Sequence, residues 1–173
     1  SVSIPRPGSP RIAPFEGDLG ATAAAALAST RSMGSAQPFN IFTTLAHHPR
    51  ALKHTVALGG GFLFAANIPD RLREIVILRV ARNTSCAYER AQHVPIGKRC
   101  GLSRAEIDAL AEPGDQPSGA DWTPIEHATV TMVDELCQDD CVSDATWQAL
   151  AAEFDDRSLV ELLLVTGYYR MLA

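Results

Sequence analysis

The amino-acid sequence predicts an all-α fold, and three observations carry that prediction. Nowhere do apolar and polar residues alternate in a strand-and-turn rhythm. Apolar residues recur instead at helical spacing, three and four apart. Helix-opening signatures punctuate them: Ser103 with Glu106, Thr123 with Pro124 and Glu126, and Ser143.

Residues 1–20 hold four of the eleven prolines: Pro5, Pro7, Pro10 and Pro14. Proline has a fixed φ and no N–H, so this stretch reads as an extended arm. Ile4, Ile12 and Phe15 are its apolar anchors; it either wraps a neighbouring subunit or ends loosely. Residues 21–173 read as a single helical domain. Pro49 after His48 marks a helix start, with Ala51, Leu52, Thr55, Val56 and Leu58 following at helical spacing. Gly59, Gly60 and Gly61 in a helix interior would cost about 3 kcal/mol against alanine. Either the helix ends there, or a backbone or ligand approaches closely.

Pro69 and Asp70 open the next segment, residues 71–82. Ile75, Val76, Ile77 and Leu78 inside it have β propensity. The charged flanks Arg71, Arg73, Glu74, Arg79 and Arg82 favour a buried helix. Residues 84–100 read as another helix, with Gly101 suited to close it. The Ser103 box starts a short helix through Leu110, and residues 113–119 form a loop. Val130, Val133 and Leu136 continue the helix opened by Thr123. Ser143 caps a helix holding Trp147, Leu150, Ala151 and Phe154. Residues 158–172 form a strongly apolar last helix.

The chain has 173 residues with 46% hydrophobic and 20% charged, a globular balance. A formal charge of −5 argues against nucleic acid as a partner, because phosphate binding needs a basic surface. No apolar run approaches the ~20 residues of a membrane span. The alanine-rich residues 21–28 follow acidic residues, not the basic ones of a secretory leader. Four cysteines, Cys86, Cys100, Cys137 and Cys141, are expected as free thiols in a reducing, cytoplasmic compartment. Cys137 and Cys141 are too few to complete a structural zinc site, and His127 does not convincingly add to them. No metal and no cofactor is expected.

The stretch NTSCAYERAQH (83–93) holds a thiol, a carboxylate and an imidazole. At about 100° per residue, Cys86, Glu89 and His93 share an arc of about 60°. Glu89 and His93, one turn apart, are expected to hydrogen-bond, which would fix the ring's tautomer and raise its basicity. The bland alternative is a solvated face with an incidental cysteine. His47 and His48, before Pro49, read as cap and surface residues. Trp122, Trp147, Tyr168 and Tyr169 read as core or subunit contact.

The runs RLREIVILRVAR (71–82) and CAYERAQH (86–93) resemble the carboxymuconolactone decarboxylase family, which shares the alkylhydroperoxidase-D-like helical fold. So do NIFTTLAHHP (40–49), SDATW (143–147) and LVELLLVTGYY (159–169), so that the likeness covers about residues 38–172. In the peroxidase branch of that fold, the resemblance implies a glutamate, two cysteines separated by two residues, and a histidine four residues on. Glu74, Cys86 and His93 match three of these positions. Glu89 replaces the second cysteine and cannot resolve a disulfide. Cys100 lies two turns past His93 and beyond Pro95, a poor substitute.

The resemblance therefore implies a cofactor-independent lyase, decarboxylase-like. Its substrate would be a small cyclic or aromatic-derived carboxylic acid or lactone. Decarboxylation leaves a carbanion delocalised as an enolate, which needs charge stabilisation and a proton delivered to carbon. His93 is the expected proton donor, oriented by Glu89. Glu74 would complete a relay or act as base, or be a structural ion pair. Cys86 reads as a nucleophile or as a small pocket wall. Arg79 reads as a substrate-carboxylate contact or a structural pair. The resemblance also implies a homo-oligomer, trimer or hexamer, with sites near subunit interfaces. Two other readings remain: a thiol-dependent peroxidase or redox protein, and a non-catalytic assembly module.

Overall fold

The computed structural model describes residues 8–30, 38–112 and 120–173. Nine helices and no strand are found among the described residues. They are α1 (Gly20–Ser29), α2 (Asn40–Leu45), α3 (Pro49–Phe64), α4 (Asp70–Asn83), α5 (Ala87–Arg99), α6 (Arg104–Ala109), α7 (Pro124–Asp139), α8 (Asp144–Ala151) and α9 (Asp156–Leu172). None is long and apolar enough to cross a membrane. The cysteines are free.

The chain divides into two compact units, one ending at Gly61 and the other running from Phe62 to Ala173. The boundary between the units falls inside α3. Each unit has its own core. In the first, Ala23, Ala26, Leu27, Phe42, Ala46, Leu52 and Val56 pack together, with Phe15 against them. Of the proline arm, residues 8–19 are free of helix, and Ile12 is exposed. Pro5, Pro7 and Ile4 lie outside the described residues. Phe15 sets its ring edge-on to His47, and its backbone N–H donates to the Thr43 carbonyl. His48 caps α3, its Nδ1 accepting from the Ala51 N–H at 3.2 Å. The helix continues through Gly59, Gly60 and Gly61, and a Cβ at Gly60 or Gly61 would meet nothing within 4 Å.

In the second unit, α4 is central and packs on α5, α7 and α9. Every residue from Leu72 to Ala81 is buried, the charged Arg73, Glu74 and Arg79 included, and the β-branched run lies in this central helix, packed on its three neighbours. The cap signatures hold. Ser103 and Thr123 make reciprocal boxes with Glu106 and Glu126, and Pro124 starts α7. Ser143 caps α8, and Asp155 starts α9 two residues earlier than expected. Gly101 closes α5 with φ +90°, and the Leu102 N–H bonds back to the Gly97 carbonyl. The loop expected at 113–119 lies outside the described residues.

One boundary differs in a way that bears on chemistry. Residues 84–86 do not belong to α5. They close α4 by a left-handed turn: Ser85 takes φ 53°, its N–H bonds to the Arg82 carbonyl, and the Cys86 N–H bonds to that of Ala81. Cys86 is the N-cap of α5, off its helical face.

Candidate active site

Three helices of the second unit bring the candidate residues together. Glu74 comes from the middle of α4 and is fully buried. His93, from α5, is also buried, and its Nδ1 lies 2.9 Å from Glu74 Oε2. A carboxylate can only accept, so Nδ1 carries the hydrogen and Nε2 is left as the ring's working nitrogen. Tyr169 of α9 sets its ring edge-on to the imidazole, with centroids 5.0 Å apart. Burial, with Glu74, Tyr168 and Glu89 nearby, pushes the Tyr169 phenol far up, so it stays neutral.

The close approach of α5 to α4 has a sequence cause one turn past His93. A Cβ on Gly97 would lie 3.0 Å from Leu102 Cδ1 and 3.3 Å from Leu78 Cδ1. Only glycine lets the two backbones sit this near without a shift of those side chains.

Glu74 is held from its other oxygen. Arg73 Nε donates to Glu74 Oε1 at 3.1 Å, and Arg73 Nη1 donates to Asp70 Oδ1 at 2.5 Å. The guanidinium also reaches the Phe62 carbonyl and the Cys100 thiol. A line of charged groups thus runs from exposed Asp70 through Arg73 and Glu74 to His93.

Glu89 corrects the expected pairing. No hydrogen bond joins it to His93; the acid that steadies the imidazole is Glu74. The i, i+4 spacing is real, but the better-placed carboxylate comes from the neighbouring helix. Glu89 is 6% exposed, and its Oε1 is buried with no hydrogen-bond partner. Burial pushes its carboxyl up to about 8, so the neutral acid prevails at neutral pH.

Arg79 makes the structural pair that is one of its two readings. It is fully buried and grips Asp134 with two parallel bonds, Nε to Oδ1 at 2.7 Å and Nη2 to Oδ2 at 2.6 Å. Nη1 donates to the carbonyls of Leu110 and Glu112. Five residues past Glu74, it points about 140° away around α4.

Cys86 is half-buried at the start of α5, and Cys100 caps the other end. A helix of this length separates them by about 20 Å, and a disulfide needs Cα atoms within about 7 Å. Burial also pushes the Cys100 thiol up, away from its reactive form. These two cannot form a dithiol cycle within one chain.

Sequence reasoning missed Tyr169 and Arg73. Tyr169 looked like any apolar-helix aromatic, because its contact is made only when α9 packs. Arg73 read as a flanking charge, although its place beside Glu74 was visible.

The class this defines is an all-α protein of the alkylhydroperoxidase-D-like fold with a buried acid–imidazole pair. Residues 49–121 match the model described as Carboxymuconolactone decarboxylase family, and the resemblance read from the sequence is borne out there. That span includes Glu74, Cys86, Glu89 and His93 but not α9. Solved structures share the fold. An uncharacterized peroxidase-related protein from Silicibacter sp. TM1040 has a TM-score of 0.76 at 12% identity, covering 95% of this chain and 88% of its own. The alkylhydroperoxidase AhpD core of an uncharacterized peroxidase-related protein from Ralstonia eutropha JMP134 gives 0.74 at 19%, covering 94% and 87%. A protein of unknown function from Agrobacterium tumefaciens, suggested to be an AhpD antioxidant-defence protein, gives 0.65 at 22%, covering 73% and 86%. No curated protein matches the chain.

Proposed function

We propose that this chain is a proton-transfer enzyme of the decarboxylase-like kind. It acts on a small cyclic or aromatic-derived carboxylic acid or lactone. The observation that carries this reading is the 2.9 Å contact between two buried groups, His93 Nδ1 and Glu74 Oε2. A carboxylate accepting from Nδ1 fixes the ring's tautomer and orientation and leaves Nε2 free to exchange a proton. Arg73 holds the far oxygen of Glu74 and so fixes the carboxylate's orientation toward His93. His93 then delivers or removes the carbon-bound proton, and Tyr169 walls the ring.

The test incubates the full chain with a panel of carboxylated lactones and β-keto acids and measures released CO2. Wild type should turn over at least one of them, and His93→Ala should lose that activity. Turnover undiminished in His93→Ala would reject the reading.

A second reading, a thiol-dependent peroxidase, is favoured by the peroxidase-related neighbours and by the half-buried Cys86. Since Cys86 and Cys100 are at opposite ends of α5, it requires an external thiol to resolve Cys86. Hydroperoxide consumption abolished by Cys86→Ser would establish it.

We also propose a homo-oligomer in the cytoplasm, trimeric or hexameric. Exposed Val160, Leu164 and Met171 on α9 support association. Sedimentation of the full chain tests it, and a monomer at micromolar concentration would refute it.

A further inference from the structure

We propose that Glu89 is the group that binds the substrate's reacting oxygen. Its carboxyl donates a hydrogen bond to the carbonyl oxygen of a lactone or ketone while His93 moves the proton at carbon. The inference rests on His93 as the proton-moving group and deepens that reading by naming what the site recognises.

Three observations carry it. Glu89 is 6% exposed, and its Oε1 is buried without a partner. Buried carboxyls are normally hydrogen-bonded, and an unpaired one is a candidate for donating to a ligand. It also lies one turn before His93, about 40° away around α5, so one small molecule can meet both. Finally, the guanidinium at Glu74, Arg73, is engaged by Asp70 and Glu74. Glu89 is thus the group left to meet a substrate's carbonyl oxygen.

The groups near Glu89 agree with a neutral acid. Glu74 on α4 is taken up by His93 and Arg73. Arg73, also on α4, is paired with Glu74. On α9, burial keeps the Tyr169 phenol neutral. On α5, His93 shares its Nδ1 with Glu74. Burial accordingly holds Glu89 at about 8.

The chemistry balances without oxidant or reductant. When a C–H bond breaks, its electron pair moves through the carbonyl to oxygen, and His93 Nε2 takes the proton. When the bond to a carboxylic acid group breaks, His93 Nε2 takes the acid's proton, CO2 leaves, the electron pair moves to the carbonyl oxygen, and His93 returns that proton to carbon. In both, the Glu89 hydrogen bond holds the developing oxyanion.

The test uses the full chain and 3,4-dinitrophenol, whose phenolate is already formed at neutral pH and mimics an enolate oxygen. Binding is followed by absorbance. Wild type should bind it, with affinity falling about tenfold per pH unit above about 8. Glu89→Gln should keep the binding and lose the pH dependence. Glu89→Leu should weaken it about tenfold or more. His93→Ala should retain probe binding while failing in CO2 release. That difference separates this inference from the reading beneath it. No binding to wild type, equal binding by Glu89→Leu, or an alkaline fall persisting in Glu89→Gln would overturn the assignment of Glu89. Undiminished turnover in His93→Ala would overturn the role of His93 on which it rests.

Discussion

Two of the buried charged side chains on helix α4 lie five residues apart: Glu74, which meets His93 and Arg73, and Arg79, which meets Asp134. Around Arg79 every polar group is answered: Asp134 takes two bonds, and two carbonyls take more. Asp134 Oδ1 also accepts from Asn83 Nδ2 at 2.7 Å. Around Glu74 the answer is incomplete. Glu74 itself serves His93 and Arg73, but Glu89 beside them keeps a buried oxygen unpartnered. The same helix shows what separates a structural pair from a reactive one. Saturation rigidifies and leaves nothing for a ligand. An unsatisfied group costs stability, which makes it a candidate for function.

The largest expected effects lie in these two pairs and should appear in different measurements. Asp134→Ala leaves the buried Arg79 guanidinium uncompensated and should cost about 3–5 kcal/mol of stability by urea denaturation. His93→Ala and Glu74→Gln should instead lower turnover by about 10²–10⁴-fold. If Asp134→Ala lost activity at unchanged stability, the contrast between the two faces of α4 would fail.

How far this could be read from sequence depended on whether the cause was local. Capping boxes at Ser103 and Thr123 and the closing Gly101 are one-turn events, and each held. The Ser85 turn was missed because serine rarely adopts a positive φ, so nothing at that position announced it. The partner of His93 was misjudged for the opposite reason. Glu89 lies within one turn of it, whereas Glu74 arrives through packing of α5 on α4, which Gly97 permits. Arg79 was legible as buried among apolar neighbours; its partner, 55 residues away on α7, was not.

Glu89 supplies a test of intermediate size. Its carboxyl ionises near 4.5 when unfolded and near 8 when folded. The folded chain therefore holds a proton there that the unfolded chain has released, so stability falls as pH rises. It is greatest below pH 4.5 and levels off above about 8. The full shift would be worth about 5 kcal/mol; water reaching the charged form should reduce this to about 3 kcal/mol. Glu89→Gln should remove that slope. Glu106 gives the opposite sign. The Arg71 hydrogen bond holds it down at about 2, so its stabilisation is present above 4.5 and lost as pH falls toward 2. Urea midpoints across pH, in wild type and Glu89→Gln, separate the two limbs.

The smallest effect expected concerns Ser85. Its φ of 53° places a Cβ where glycine has none, at a cost of about 1 kcal/mol. Ser85→Gly keeps both turn hydrogen bonds and should raise Tm by about 2–4 °C. The same variant bears on Cys86. Strained residues cluster where geometry matters to function, and Ser85 fixes the backbone that presents the thiol. If Cys86 only walls the site, relaxing this turn should leave CO2 release within about twofold of wild type, because Glu74, Glu89 and His93 are held by packing rather than by the turn. A stabilised Ser85→Gly with much slower hydroperoxide consumption would instead mean that the turn positions a working sulfur. The chemistry would then belong to the start of α5, and the unsatisfied acid one turn on would be its neighbour rather than its centre.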